Sequence, residues 1–351
     1  MKCKTIYEKN NEVSCVSSIH KTKLTSAEIA ALWTQYLNET AGICFHQHMM
    51  EHLEDKEIRD VFEYAMSLGT QHLEKIKEFL IQEGFPVPIG FTNHDLIPNT
   101  PRLFSDVLCL HYLNIMTIHG CHGYSGAITT SARQDVREYF TRCNASAVEL
   151  CNRTKNVLLE KGLYYRPPVV LPPEKPDYVK DENFLAGWFG EKRPLSCIEI
   201  TDIYFNLKKS IMAKAVTVAF WQVAQSKNVR DFLLKALKTK DSHIQMFNDL
   251  LNKENLPAPP ILEAEVTNST TSPFSEKLMM YQVGFLFTTA MVYYGTGWAS
   301  SPRRDLTPHY MMAISGDVKI GNDWLDMMID IGWLEQPPLA ENRTELAMKN
   351  K

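Results

Sequence analysis

Apolar residues recur at helical spacing along almost the whole chain. Ile29, Leu32, Trp33, Tyr36, Ile43 and Met50 form one stripe, and Ile58, Val61, Phe62, Ala65, Leu68, His72, Ile76 and Phe79 form the next. Neither run alternates with the period of two that a half-buried strand requires. The pattern predicts helices at 26–53, 56–83, 105–128 and 132–161, and again at 197–224, 227–254, 275–298 and 302–331.

The second set of helices repeats the first. Leu24–Ile29 (LTSAEI) falls on Leu195–Ile200 (LSCIEI) at a shift of 171 positions, and both are capping boxes flanked by a hydrophobic staple. Arg59-Asp60 falls on Arg230-Asp231, His72 on His243, and Gly84 on Asn255, each of the last two followed by a proline pair that stops the second helix from resuming. After one deletion the shift becomes 170, matching Phe104-Ser105-Asp106 to Phe274-Ser275-Glu276, Arg133 to Arg303, Asp135 to Asp305 and Gly162 to Gly332. Short connections join helices one to two and three to four, whereas Phe85–Phe104 and Leu256–Phe274 are long enough to cross a bundle. Short, long, short is the connectivity of ferritin-like four-helix bundles.

The expected fold class is therefore all-α, two tandem bundles with one long crossover each. The expected organisation is a polar N-terminal arm at 1–23, a first bundle at 24–165, a proline-rich and then apolar connector at 166–194, a second bundle at 195–338 and a polar tail at 339–351. The apolar stretch Phe184–Phe189 of the connector is expected to dock between the bundles.

Composition narrows the function classes. A formal net charge of -4 with interspersed signs gives no basic stripe for nucleic acid. Eight scattered cysteines without a C-x-x-C pair, behind a start that lacks a signal-peptide core, read as reduced cytoplasmic thiols. Leu278–Pro302 carries no Asp, Glu, Lys or Arg over 25 positions, but its glycines, Gln282 and hydroxyl residues favour a bundle helix over membrane insertion.

Read in order, LAGWFGEKRPLSCIEI, VRDFLLKALKTKDSHI, LPAPP, PFSEKLMMY, SSPRRDL and GWLEQPP resemble a Bacillus-type family of two-copy proteins, domain-of-unknown-function family 3231. The resemblance covers residues 24 to 338. It implies a ferritin-like fold, a distant similarity to spore coat protein F, and a sporulation-related role with no assigned activity.

Candidate chemistry is concentrated in the first copy. Eight of eleven histidines lie between residues 24 and 168. Helical spacing directs Glu39, His46, His72, His111, His119 and His122 toward one core region, where imidazoles with one carboxylate suit Fe, Zn or Cu. Against a dimetal centre, Gly69 stands three before His72, so the E-x-x-H pair is missing, and no second carboxylate is in place. The second copy keeps His243 opposite His72 but has Ser210, Thr217, Tyr281, Thr289 and Val292 at the other five positions, which makes His72 read as a hydrogen-bonded core residue.

Arg133-Asp135 and Arg303-Asp305 read as ion pairs steadying the fourth helices, and Lys208, Lys209 and Lys214 as a solvated face. The reading that follows is a non-catalytic structural or interaction protein, with no cofactor required and with itself or a spore-assembly component as partner. A transition-metal redox or storage-like protein with its site in the first bundle is the alternative. A small-ligand pocket, consistent with 15 methionines and 14 tyrosines, is the third.

Overall fold

The computed structural model describes residues 22–185 and 192–348. Residues 1–21 of the expected arm and the Ala186–Phe189 part of the expected docking segment lie outside the described residues. Eight long helices carry the fold: α1 (Ser26–His52), α2 (Lys56–Gln82), α3 (Asp106–Thr130), α4 (Gln134–Glu160), α5 (Cys197–Val223), α6 (Lys227–Lys253), α7 (Glu276–Ser300) and α8 (Thr307–Asp330). A short α9 (Arg343–Met348) follows. The all-α tandem architecture read from periodicity is the one observed. One boundary moves: the helix expected from 302 starts at Thr307, behind a 3-10 turn at Arg304–Leu306, because Pro308 occupies its first turn, where a missing N–H is tolerated.

The helix ends are closed by the devices the repeat encodes. Thr25 and Ser196 accept the backbone N–H of Glu28 and Glu199, whose carboxylates reach back to complete both capping boxes. Each glutamate also caps a second helix start. Glu28 accepts the Ala132 and Arg133 N–H groups at 2.9 and 2.7 Å, and Glu199 accepts that of Arg303 at 3.0 Å. The guanidinium of Arg133 then grips Asp135 and Glu83, and that of Arg303 grips Asp305 and Glu254, as expected of a structural ion pair. At the far ends Gly84 (φ 73°) and Asn255 (φ 56°) adopt the left-handed conformation. Their followers Phe85 and Leu256 donate back to Leu80 and Leu251 at 2.9 and 3.0 Å, which satisfies carbonyls the helices leave open.

Within each copy the short connections make antiparallel pairs (α1 with α2, α3 with α4, and their counterparts), and α2 packs on α4 as α6 does on α8. The two long crossovers meet each other across a pseudo-two-fold axis. Leu96 bridges Phe274, and the equivalent Val266 bridges Phe104. Ile97 N–H donates to Pro273 O at 2.9 Å and Thr267 N–H to Leu103 O at 3.1 Å. Ser275 Oγ donates to Asp95 at 2.7 Å, mirrored by Ser105 Oγ on Glu265. Beneath this seam Phe45, Phe104, Phe220 and Phe274 interlock, with Phe45 and Phe274 edge to face at 4.6 Å, so one apolar core runs through both copies.

No helix among the described residues is long and apolar enough to cross a membrane. The charge-free stretch is accounted for as α7, which lies against both copies.

Candidate functional site

The copies differ most in how their helices close. α5 and α7 pack along their length, whereas α1 and α3 touch far less, and the space between them is a cavity of about 670 Å³. Its walls are α1, α2, α3 and α4 of the first copy plus Tyr281, Gln282, Phe285, Thr289, Val292 and Tyr293 of α7. Exposed Ala30, Thr34, His122, Gly123 and Val292 mark its mouth. The wall is mainly apolar with a few convergent polar groups, the composition typical of small-molecule sites.

Small residues create the space. At the equivalent positions Gly42 becomes Ala213, Gly69 becomes Lys240, Gly120 becomes Ala290, Gly123 becomes Tyr293 and Ala147 becomes Asp317. The second copy thus fills its centre with a buried ion pair, Lys240 Nζ lying 2.9 and 3.1 Å from the two Asp317 oxygens and 3.8 Å from the Phe287 ring centroid. Trp324 completes the filling by lying against Gly284, its indole N–H donating to Met280 O at 2.7 Å. The first copy has Thr154 and Asn114 at those two places.

The polar floor of the cavity is a network around Glu39. One carboxylate oxygen lies 2.6 Å from His72 Nδ1 and accepts from Tyr124 Oη at 2.9 Å, with Gln35 Nε2 at 3.4 Å. Tyr139 Oη donates to Gln35 Oε1 at 3.0 Å, and Cys143 lies within reach of Gln35 Nε2 at 3.8 Å. Burial alone would neutralise both members of the pair. For His72, hydrogen bonds with Cys143 and Glu39 and their charges outweigh that penalty and raise its pKa to about 10. For Glu39, burial pushes upward, but hydrogen bonds and the His72 charge hold the carboxyl below its usual range. The floor is therefore an imidazolium–carboxylate pair at neutral pH, a dipole set into an apolar wall.

Of the six residues expected to converge, the structure joins Glu39 and His72 directly and places His46, His119 and His122 on the same cavity wall. His46 stands edge-on to Phe62, and burial pushes its pKa down to about 4. His119 shares a 2.8 Å hydrogen bond with Tyr293 Oη, and burial pushes its pKa down to about 3. His122 Nδ1 donates to Ile118 O at 2.9 Å. His111 is a correction: it stacks on Tyr165 at 5.2 Å, away from the cavity. Eight residues before His119 it sits about 12 Å along the axis, where α3 faces Tyr165, α5 and the crossover residues Pro259, Pro260 and Leu262 instead of the opening.

The donor set does not fit the carboxylate-rich dimetal centre of ferritin-like bundles. Among the described residues, Glu39 is the one carboxylate on this wall, and His72 and Tyr124 already engage it.

The lysines are a second correction. Lys209 is buried, has no hydrogen-bond partner and lies 3.7 Å from the Tyr294 ring centroid; burial and the Lys240 charge push its pKa well down. Lys208 lies over Tyr164 at 4.7 Å, and Lys214 bridges Asp241 and Glu263. A long aliphatic stem lets lysine occupy an interior position that charge alone argues against. Periodicity also missed Gln35, Tyr124, Tyr139 and Cys143, although the match of Tyr124 to Tyr294 was a usable signal.

No curated protein matches the chain. Among solved structures, a Bacillus halodurans C-125 protein described as a candidate spore coat protein is 19% identical, with 44% of this chain and 99% of that chain covered. Its TM-score of 0.39 is too loose a likeness to assign a fold or a role. A family model described as "Protein of unknown function (DUF3231)" matches twice, over residues 17–175 and 183–346, one match for each repeat, and the chain belongs to that family.

Proposed function

We propose that the protein is a non-catalytic binding module: a ferritin-like scaffold whose first bundle, 24–165, takes up a small, mainly apolar ligand with one polar group, while the second, 195–338, braces it. The observation that carries this reading is the cavity of about 670 Å³ in the first copy, set against an ion pair, Lys240–Asp317, in the same place in the second. A volume of that size falls in the range of drug-sized ligand sites, about 300–1,000 Å³. The Glu39–His72–Tyr124 floor orients a hydroxyl, phenol or amide, and the α7 wall makes the second copy part of the site.

The same geometry favours binding over metal storage, because the cavity wall supplies one already engaged carboxylate. Association with itself or with a spore component remains an expectation from the family resemblance.

The test is displacement of an apolar fluorescent probe such as 1-aminoanthracene. One site per chain is expected, competed by alkylphenols and abolished by Gly42→Leu, whose added side chain meets nothing within 4 Å of its Cβ and projects into the opening. Probe binding that is unchanged in Gly42→Leu would remove the first-bundle site.

A further inference from the structure

A second cluster of donors lies outside the cavity, at the C-terminal end of α1. His48, Glu51 and His52 occupy positions i, i+3 and i+4, which share one helix face. Their potential ligand atoms all lie within 4.8 Å of one another, the one such group of three among the described residues. The two imidazole centroids are 4.8 Å apart. His48 is 3% exposed, walled by Phe104 and Phe274 of the inter-copy seam. Its Nε2 and that of His52 are both buried without a hydrogen-bond partner. Buried polar atoms without a partner are rare, and two from neighbouring turns of one helix call for a shared third species.

We propose that His48, Glu51 and His52 bind one divalent transition-metal ion per chain, with two imidazoles and one carboxylate as ligands and the remaining positions open to water.

The donor chemistry selects the ion. Two nitrogens and one oxygen suit Zn²⁺ and its first-row neighbours, and disfavour Mg²⁺ and Ca²⁺, which prefer all-oxygen sites. Metal–ligand bonds of about 2.0–2.2 Å draw donors to roughly 3–4 Å separation. Glu51 is exposed and His52 half-buried, so these two are the members expected to move to that distance. The C-terminal end of a helix also favours a cation. Arg59 lies close by with its guanidinium bonded to the Met50 and Leu53 carbonyls.

The second copy fixes the stoichiometry. The equivalent residues are Ala219, Gln222 and Val223, and the Gln222 amide is spent on the Thr267 and Ser269 carbonyls. One ion per chain is expected, not two.

The experiment uses the full chain without a histidine tag, stripped with chelator and titrated with Co²⁺ while its visible absorption is followed, then with Zn²⁺ in competition. One equivalent of each is expected. His52→Ala should weaken Zn²⁺ binding by at least about tenfold, because ligand number sets affinity. His48→Gln should do the same, while the cavity variant His122→Ala binds as the parent does. Unchanged circular dichroism in His52→Ala separates ligand loss from unfolding. Absence of stoichiometric Co²⁺ binding, or equal Zn²⁺ affinity in parent and His52→Ala, would overturn the assignment. Neither result bears on probe binding in the cavity.

Discussion

Replacing glycine by alanine at three helical positions is expected to change stability in opposite directions in the two copies. An ideal Cβ at Gly42 meets nothing within 4 Å, and at Gly120 it meets Tyr124 Cε2 at 3.5 Å and Ala147 Cβ at 3.7 Å, ordinary van der Waals contact. Alanine exceeds glycine in a helix interior by about 1 kcal/mol. The second copy already carries alanine at both equivalent places, Ala213 and Ala290. The double variant Gly42→Ala/Gly120→Ala should therefore gain about 2 kcal/mol. At roughly 2–4 °C per kcal/mol for a unit of this size, Tm rises by about 4–8 °C. At Gly284 the same change places Cβ 2.3 Å from the Trp324 ring, and overpacking of that kind costs about 1–3 kcal/mol. Differential scanning calorimetry and urea unfolding read both signs. A double variant no more stable than the parent, or a Gly284→Ala that unfolds no earlier, would refute the claim that the first bundle is open where the second is closed.

Other expectations follow from the same contacts. Glu39→Gln removes one partner of a pair whose side chains are only 17% and 11% exposed, and should cost on the order of 3 kcal/mol, read by urea unfolding at pH 7. The His72 pKa is raised above its unfolded value of about 6.5, so its contribution is complete below that pH and is lost as pH climbs through about 10. Glu39 is held below its usual range, so its contribution is present above about pH 4.3 and is lost as pH falls through the folded value. Parent stability should decline from pH 7 to 10 while His72→Ala stays flatter, and matching slopes would contradict the pairing. Glu28→Ala removes a buried carboxylate, leaves the Ala132 N–H and the buried Arg133 N–H without their acceptor, and should cost about 3 kcal/mol by thermal unfolding, whereas an exposed cap would cost less than one. Expressed alone, the first copy uncovers Phe45 and Phe104 of the seam; because that seam is pseudo-symmetric, sedimentation should find a homodimer, and a monodisperse monomer would count against the shared core.

What was legible in the sequence is what local physics determines. Capping boxes at Thr25 and Ser196, left-handed ends at Gly84 and Asn255, and the Arg133 and Arg303 forks each depend on a few neighbouring positions, and the structure has them all. The Glu39–His72 meeting was also readable, since both lie on inward stripes. The cavity was not, because volume belongs to four helices at once and no single stripe reports it. Its trace was the exchange of Gly69 and Ala147 for Lys240 and Asp317, visible only once the repeat is read for size as well as for identity. His48 and His52 escaped for a related reason: two and six residues past His46, they are turned from it by about 200° and 240°, so the stripe through Glu39 and His46 passes them by.

The first bundle holds an open, ligand-sized space floored by Glu39 and His72. Diffraction from crystals soaked in 4-iodophenol tests it most directly, since iodine is located by its anomalous signal. The iodine is expected between α1 and α3 of the first bundle, with the hydroxyl within hydrogen-bonding distance of the Glu39–His72–Tyr124 group and no iodine inside the second bundle. A first bundle packed solid by its own side chains, or iodine bound equally in both, would contradict it.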